Sequence, residues 1–244
     1  MDRSESDGPV LLVTRPEPAA RRFLEALRVL RGGRLPRAVL SPALRIRPLE
    51  VRLPLVPAGL ILTSENGAAR VPDFGLAGLP AWCVGPRTRA VAEQAGLGAR
   101  EAGPDAEALV AALVAERPAG PLLHLRGEQA RGDVVARLRE AGLAAEEAVV
   151  YRQEALAPSA EARAVLEGTR PTVLPLFSPR SAAVVAGWGS RAPLHLVAMS
   201  PAVAEAAAGL PHRSLRLAAR PDGEAMLRAT ARCVAWLEGM GRPD

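Results

Sequence analysis

The chain is internally duplicated, and its two kinds of repeated segment alternate along the sequence. The first kind runs from Leu11 to Arg28 and returns from Leu122 to Arg139. Aligned without gaps, the copies share Leu11/Leu122, Leu12/Leu123, Arg15/Arg126, Glu17/Glu128, Leu27/Leu138 and Arg28/Arg139. The second kind opens at Leu62 with LTSENGA, passes through VGPRTRAVAEQAGL and closes at PDAEALV from Pro104. Its copy opens at Leu176 with LFSPRSA, then reads VAMSPAVAEAAAGL and PDGEAML from Pro221. Matched pieces lie 111 to 117 residues apart. A solenoid would repeat every ~20–50 residues, so two related α/β units are expected instead.

Each first-kind segment reads as strand, loop and helix. Val10–Val13 and Leu122–Leu125 are short apolar runs. Ala20, Phe23, Leu24, Leu27 and Leu30 then fall at helical spacing, as do Val134, Val135, Leu138 and Ala141 in the copy. Gly32–Gly33 and Gly142 stand where helix ends are expected. Each second-kind segment reads as strand, loop, helix, repeated, with strands near 60–62, 82–84, 173–176 and 194–197 and helices over 87–94 and 201–208. Asp105 and Asp222 sit where a final helix wants a capping carboxylate. Strands alternating with helices at this pitch predict parallel sheets covered on both faces.

The linkers suggest how the segments are shared out. A proline-dotted stretch follows residue 35, and a second non-helical stretch follows Val150. The expected division is a discontinuous α/β domain of residues 1–36 plus 155–244 and an inserted α/β domain of 39–150. Residues 37–38 and 151–154 would then connect the two, with β-like alternation suiting a two-stranded connector. Two short connectors would permit hinge motion around a cleft.

Composition narrows the function classes. All 31 basic side chains outside histidine are arginine, scattered along the chain, and aromatics make up only 3 %. Nucleic-acid binding would show clustered basic residues with aromatic partners, so no nucleic-acid partner is expected. Arginine's planar fork suits a small polyanion bearing carboxylates. No apolar run reaches the ~18 residues of a membrane span, and residues 1–10 lack a signal peptide's apolar stretch. A cytoplasmic monomer is expected, with Cys83 and Cys233 as buried thiols in a reducing compartment. Neither GxGxxG nor GxxxxGK[ST] occurs, and no Cys/His/carboxylate spacing suggests zinc. No cofactor and no metal are expected. His124 and His195 read as core residues, and Glu146–Glu147 as a solvated turn.

Ligands of open α/β sheets bind beyond the carboxyl ends of strands, near helix N-termini. The loops expected there carry Thr14-Arg15, Thr63-Ser64 with Asn66, Gly85 with Thr88, Arg126-Gly127, Ser178 with Ser181, and Ser200. Any one loop could be a helix cap, since caps favour these residue types. Six related loops suggest an anion cradle built of hydroxyls and main-chain N–H groups. Tyr151, the only tyrosine, is a candidate proton donor, neutral at pH 7.

The set resembles the uroporphyrinogen-III synthase family over nearly the whole chain. The resemblance is carried by Val13-Thr14-Arg15-Pro16, Thr63-Ser64-Glu65-Asn66-Gly67, Val84-Gly85 with Thr88, Arg126-Gly127, Val150-Tyr151, Ser178-Pro179 and Pro221-Asp222-Gly223-Glu224. Two loops depart from the family pattern. Phe177 stands where threonine is usual and Arg180 interrupts the serine loop. Ala198, Ser200 and Pro201 replace a glycine and two threonines. The resemblance implies two flavodoxin-like domains, each a parallel sheet flanked by helices, and a cofactor-independent enzyme. Its substrate would be hydroxymethylbilane, a linear tetrapyrrole with eight carboxylates. Ring closure would invert ring D and release water, with Tyr151 as the catalytic proton donor. The alternative is a non-catalytic two-domain protein that binds an anionic small molecule in the interdomain cleft.

Overall fold

The computed structural model describes residues 8–129 and 132–239; residues 1–7 of the polar N-terminal stretch lie outside that range. In chain order the elements are β1 (Val10–Val13), α1 (Glu17–Leu30), β2 (Arg37–Leu40), β3 (Leu44–Pro48), β4 (Gly59–Leu62), α2 (Glu65–Ala68), β5 (Pro80–Val84), α3 (Gly85–Gln94), β6 (Gly98–Gly103), α4 (Ala106–Glu116) and β7 (Leu122–Gly127). There follow α5 (Val134–Glu140), β8 (Ala145–Ala155), α6 (Ala160–Glu167), β9 (Thr172–Leu176), α7 (Pro179–Ala186), β10 (Leu194–Ala198), α8 (Pro201–Ala206), β11 (Ser214–Leu217) and α9 (Gly223–Leu237). The chain divides into two compact units, one holding residues up to Arg45 and from Ala155 onward, the other Ile46–Glu154. Among the described residues no helix is long and apolar enough to cross a membrane.

The first unit is a five-stranded sheet, β11-β10-β9-β1-β2, parallel throughout. Alternation along β1 sends Val10 and Leu12 to one face and Leu11 and Val13 to the other. Val10 and Leu12 pack with Ala162 and Leu166 of α6, Val185 of α7 and Val203 of α8. Leu11 and Val13 pack with Phe23 and Leu27 of α1 and with Met226, Cys233 and Val234 of α9. Burial on both faces is why β1 reads as an unbroken apolar run, and β9 and β10 as runs broken only by Thr172 and His195. Gly32 (φ 64°) and Gly33 (φ 88°) end α1 in the left-handed region, which costs glycine nothing.

The second unit's sheet runs β3-β8-β7-β4-β5-β6, with β8 through β6 parallel. Leu60, Leu62, Leu123 and Leu125 face a core completed by Ala68, Val71 and Ala92. Ile61, Trp82 and Leu122 face α4 and α5 through Leu109, Leu113, Val135 and Leu138. Cys83 and Cys233 are free and buried, and burial pushes both thiols up to about 11.

Counted from the first-kind segment, the two parallel sheets share one strand order, 2-1-3-4-5. In the first unit those strands are β1, β2, β9, β10 and β11. In the second they are β7, β8, β4, β5 and β6. The second unit is thus a circular permutation of the first, entered at its third strand, which explains the alternating duplication. This is the flavodoxin-like order, whose ligand crevice lies where the strand order reverses. The reversal falls between β1 and β9 in one sheet and between β7 and β4 in the other.

Two expectations need correcting. Residues 37–38 are not a connector: they begin β2, which pairs with β1 from Val10↔Arg37 to Val13↔Leu40. Val39 is buried there, so its apolar side chain holds the segment on the sheet. The chain leaves the first unit within β3 and returns at the end of β8, its neighbour in the second sheet. Glu146–Glu147 is not a turn either. Both residues lie in β8, where arginines supply their partners: Arg139 for Glu146 and Arg126 for Glu147.

Candidate functional site

Because each sheet's core strands are parallel, their carboxyl ends share one edge, and the loops singled out above lie along it. In the second unit, Thr63 and Ser64 directly follow β4 and lead into α2. Ser64 caps α2, its Oγ accepting from the backbone N–H groups of Asn66 and Gly67. The same Oγ lies 2.9 Å from Tyr151 Oη. Thr63 Oγ1 lies 3.0 Å from His124 Nε2 on β7. Two adjacent hydroxyls are therefore tied to side chains of two different strands, Thr63 to the adjacent β7 and Ser64 to β8 beyond it.

Tyr151 reaches Ser64 because of a register shift. Between Arg126 and Gly127 the β7–β8 pairing moves from Val149 to Tyr151. Tyr151 consequently packs in the same core as Val150, although alternation would send the two to opposite faces. Its ring covers Gly127, and a Cβ built there would stand 2.7 Å from the ring. Gly67 is equally constrained: a Cβ there would overlap the Leu125 carbonyl oxygen. Glycine in each of these motifs thus makes room for a close approach. Arg70 braces the base of the site, donating to the carbonyls of Val150 and Leu49, both at 3.1 Å.

The electrostatics are specific. His124 is 1 % exposed. Burial pushes its pKa down to about 4, with Arg126 adding to the fall and Glu147 opposing it, so the imidazole is neutral at pH 7. Arg126 Nη2 donates to Glu147 Oε1 at 2.6 Å, and this hydrogen bond holds the Glu147 carboxyl below its usual range. Arg126, expected to face substrate, is thus committed in part to a carboxylate of its own chain. It also donates to the Gly127 carbonyl at 3.0 Å. One strand further along the edge, Gly85 opens α3 at φ 71° with open space beside it, while Thr88 is buried. Arg87 and Glu65 join the α2 and α3 starts through a 3.0 Å ion pair.

In the first unit the corresponding edge carries Thr14, Arg15, Ser178, Ser181 and Ser200. Thr14 is buried, and its carbonyl accepts from Ala43 N at 2.9 Å. Ser178 caps α7 by accepting from Ser181 N. The two serine Oγ atoms lie 2.8 Å apart, and Ser181 is buried. Ser200 opens α8 without a side-chain capping bond, ahead of Pro201. Arg15 stacks on Phe177, with its guanidinium carbon 4.1 Å from the ring centroid.

The edges therefore bring together Thr63, Ser64, Asn66, Arg126, Gly127 and Tyr151 around β4, β7 and β8, and Thr14, Arg15, Ser178 and Ser181 around β1 and β9. Gly85, Thr88 and Ser200 lie one strand outward in their respective units. The sequence reading missed the partnership of His124 with Thr63 and the roles of Glu147 and Phe177. The first two depend on strand adjacency, which no local pattern carries. Phe177 was marked only as a departure from a motif.

Comparison with known proteins fits this geometry. A search of curated proteins finds no match. The chain superposes on a uroporphyrinogen-III synthetase from Helicobacter pylori with a TM-score of 0.64 at 15 % identity, over 91 % of this chain and 97 % of that one. It also superposes on a mutant uroporphyrinogen III synthase from Thermus thermophilus with a TM-score of 0.51 at 15 % identity, over 94 % of this chain and 100 % of the other. At these identities the likeness establishes the fold. The family model described as uroporphyrinogen-III synthase HemD matches residues 36–228, most of the chain, and the chain therefore belongs to the uroporphyrinogen-III synthase family.

Proposed function

We propose that Tyr151 is the proton donor with which this chain performs its family's reaction, and that the hydroxyl-bearing loops grip the substrate's carboxylates. The enzyme is a cofactor-independent lyase of tetrapyrrole synthesis. It cyclises hydroxymethylbilane with inversion of ring D and loss of water. The terminal C–O bond breaks as the departing hydroxyl takes a proton and leaves as water. The resulting azafulvene closes through a spiro intermediate. The overall change is loss of one water, so the proton lent by the donor is regained before turnover ends.

Closure without inversion competes, so the enzyme must chiefly hold the chain ends in one geometry. A site of hydroxyls and main-chain donors suits that task better than a strong base would. The observation that carries the reading is the Tyr151–Ser64 hydrogen bond at a carboxyl edge, beside the strand-order reversal. Ser64 orients the phenol, and the close fit over Gly127 fixes the ring. Each sheet presents its own hydroxyl-bearing edge, and eight carboxylates can occupy many individually weak donors. We further read the enzyme as a cytoplasmic monomer that binds no nucleic acid; free, buried Cys83 and Cys233 suit a reducing compartment. Timing product formation by Tyr151→Phe tests the donor role, and unchanged turnover would remove it.

A further inference from the structure

We infer that Phe177 is a positioning residue that presents the Arg15 guanidinium to a substrate carboxylate at the first unit's carboxyl edge, in place of the hydroxyl its duplicate supplies. The inference rests on the proposed reaction and deepens it. The internal repeat provides the comparison: Leu62-Thr63-Ser64 in one unit answers to Leu176-Phe177-Ser178 in the other, and both serines cap the following helix. In the second unit the middle residue is a hydroxyl hydrogen-bonded to His124. The residue that answers to His124 in the first unit is Val13, so no imidazole is there to receive a threonine.

Three phenylalanines occur in 244 residues, and two of them meet here. Phe177 packs edge-on against Phe23 of α1, with centroids 5.1 Å apart and planes at 83°. That holds the Phe177 ring, and Arg15 lies over its face at 4.1 Å. The place is the β1–β9 strand-order reversal, where this sheet type takes its ligand. The ring holds the guanidinium at this edge by a cation–π contact, and arginine's planar fork is the donor set that matches a carboxylate bidentately.

The paired arginine of the repeat is used differently. Arg126 meets Glu147 from the adjacent strand. Glu147 pairs in register with His124, and the residue at that register in the first unit is Leu40, opposite Val13. One arginine is thus joined to an acid from the next strand, while its duplicate is laid on an aromatic face. The carboxylate is identified by chemistry as one of the substrate's acidic side chains.

A double-mutant cycle in the full-length enzyme tests this, with KM and kcat read separately and the type III product quantified. Arg15→Lys keeps the charge but loses the fork, and is expected to raise KM about tenfold with little change in kcat. Phe177→Leu is expected to raise KM similarly. Arg15→Lys in the Phe177→Leu background should add less than about twofold more. Phe177→Tyr, which keeps the ring, should bring KM back to within about twofold of the parent. If Phe177→Leu does not fold by circular dichroism, Phe177→Met carries the same comparison. Additive effects, or an unchanged KM on losing the ring, would overturn the inference while leaving the reaction intact. A parent enzyme that makes no type III isomer would overturn both.

Discussion

Tyr151 Oη and Ser64 Oγ stand 2.9 Å apart, joining β8 to the N-cap of α2. The phenol is buried to 7 % exposure, and its ring lies on Gly127. A proton donor held this way needs little reorganisation when the leaving group arrives. Replacing Tyr151 with Phe keeps the ring and removes the acid. Loss of a positioned general acid costs on the order of 10²-fold or more, so kcat should fall by about that factor. Stability should change by only about 1 kcal/mol, the net worth of one hydrogen bond. Stopped assays and a denaturation curve on the same sample separate the two.

Gly127→Ala probes the same geometry from below. The added methyl would stand 2.7 Å from Cε2 and Cζ of Tyr151 and 2.9 Å from its hydroxyl. The ring must swing away, which lengthens the Ser64 bond. Overpacking of this kind costs about 1–3 kcal/mol, and a misplacement near 1 Å costs up to about 10²-fold in rate. The expected outcome is a folded enzyme with a lower melting temperature and kcat reduced toward that of Tyr151→Phe. Parent-like kcat would show that the ring's placement over Gly127 does not matter.

Much of the fold was legible in the sequence because the duplication and the apolar runs are local patterns. Val10–Val13 and Leu122–Leu125 could be read as buried strands, and Gly32 and Gly142 as helix ends. The site was legible only as a set of loops. Thr63, Ser64 and Tyr151 were identifiable one at a time, but their pairing depends on β8, β7 and β4 lying side by side. Tyr151 also depends on a register shift that alternation argues against. His124 could be read as buried, but its partner could not, because Thr63 lies 61 residues away and is brought near only by the pairing of β4 with β7. Residues 37–38 were misread as a connector because a short strand between prolines looks like a linker until its neighbour is known.

His124 should leave a mark on stability against pH. Its pKa is lowered from 6.5 to about 4 in the folded protein, so between those values the unfolded chain binds the extra proton. Stability from this group is therefore full above about pH 6.5 and is lost as pH falls toward 4. The full difference is on the order of 3 kcal/mol. His124→Gln keeps a hydrogen-bonding group and does not titrate. Urea denaturation at pH 7 and pH 4.5 should show a smaller loss in the variant than in the parent. Equal losses would place the acid sensitivity elsewhere.

The carboxylate grip should be sensitive to salt. Raising ionic strength from about 0.1 M to about 1 M shortens the screening length from about 10 Å to about 3 Å. KM should rise roughly threefold or more across that range, with kcat little changed. A KM that does not move would argue against binding through many exposed, individually weak polar groups.

The most direct test of the whole account is the isomer composition of the product. Freshly made hydroxymethylbilane is incubated with the protein, and the porphyrinogens are oxidised and separated. The account predicts that type III predominates and that its share rises with protein concentration. Type I alone, formed at the spontaneous rate, would contradict it and leave a protein that binds an anionic molecule without closing it.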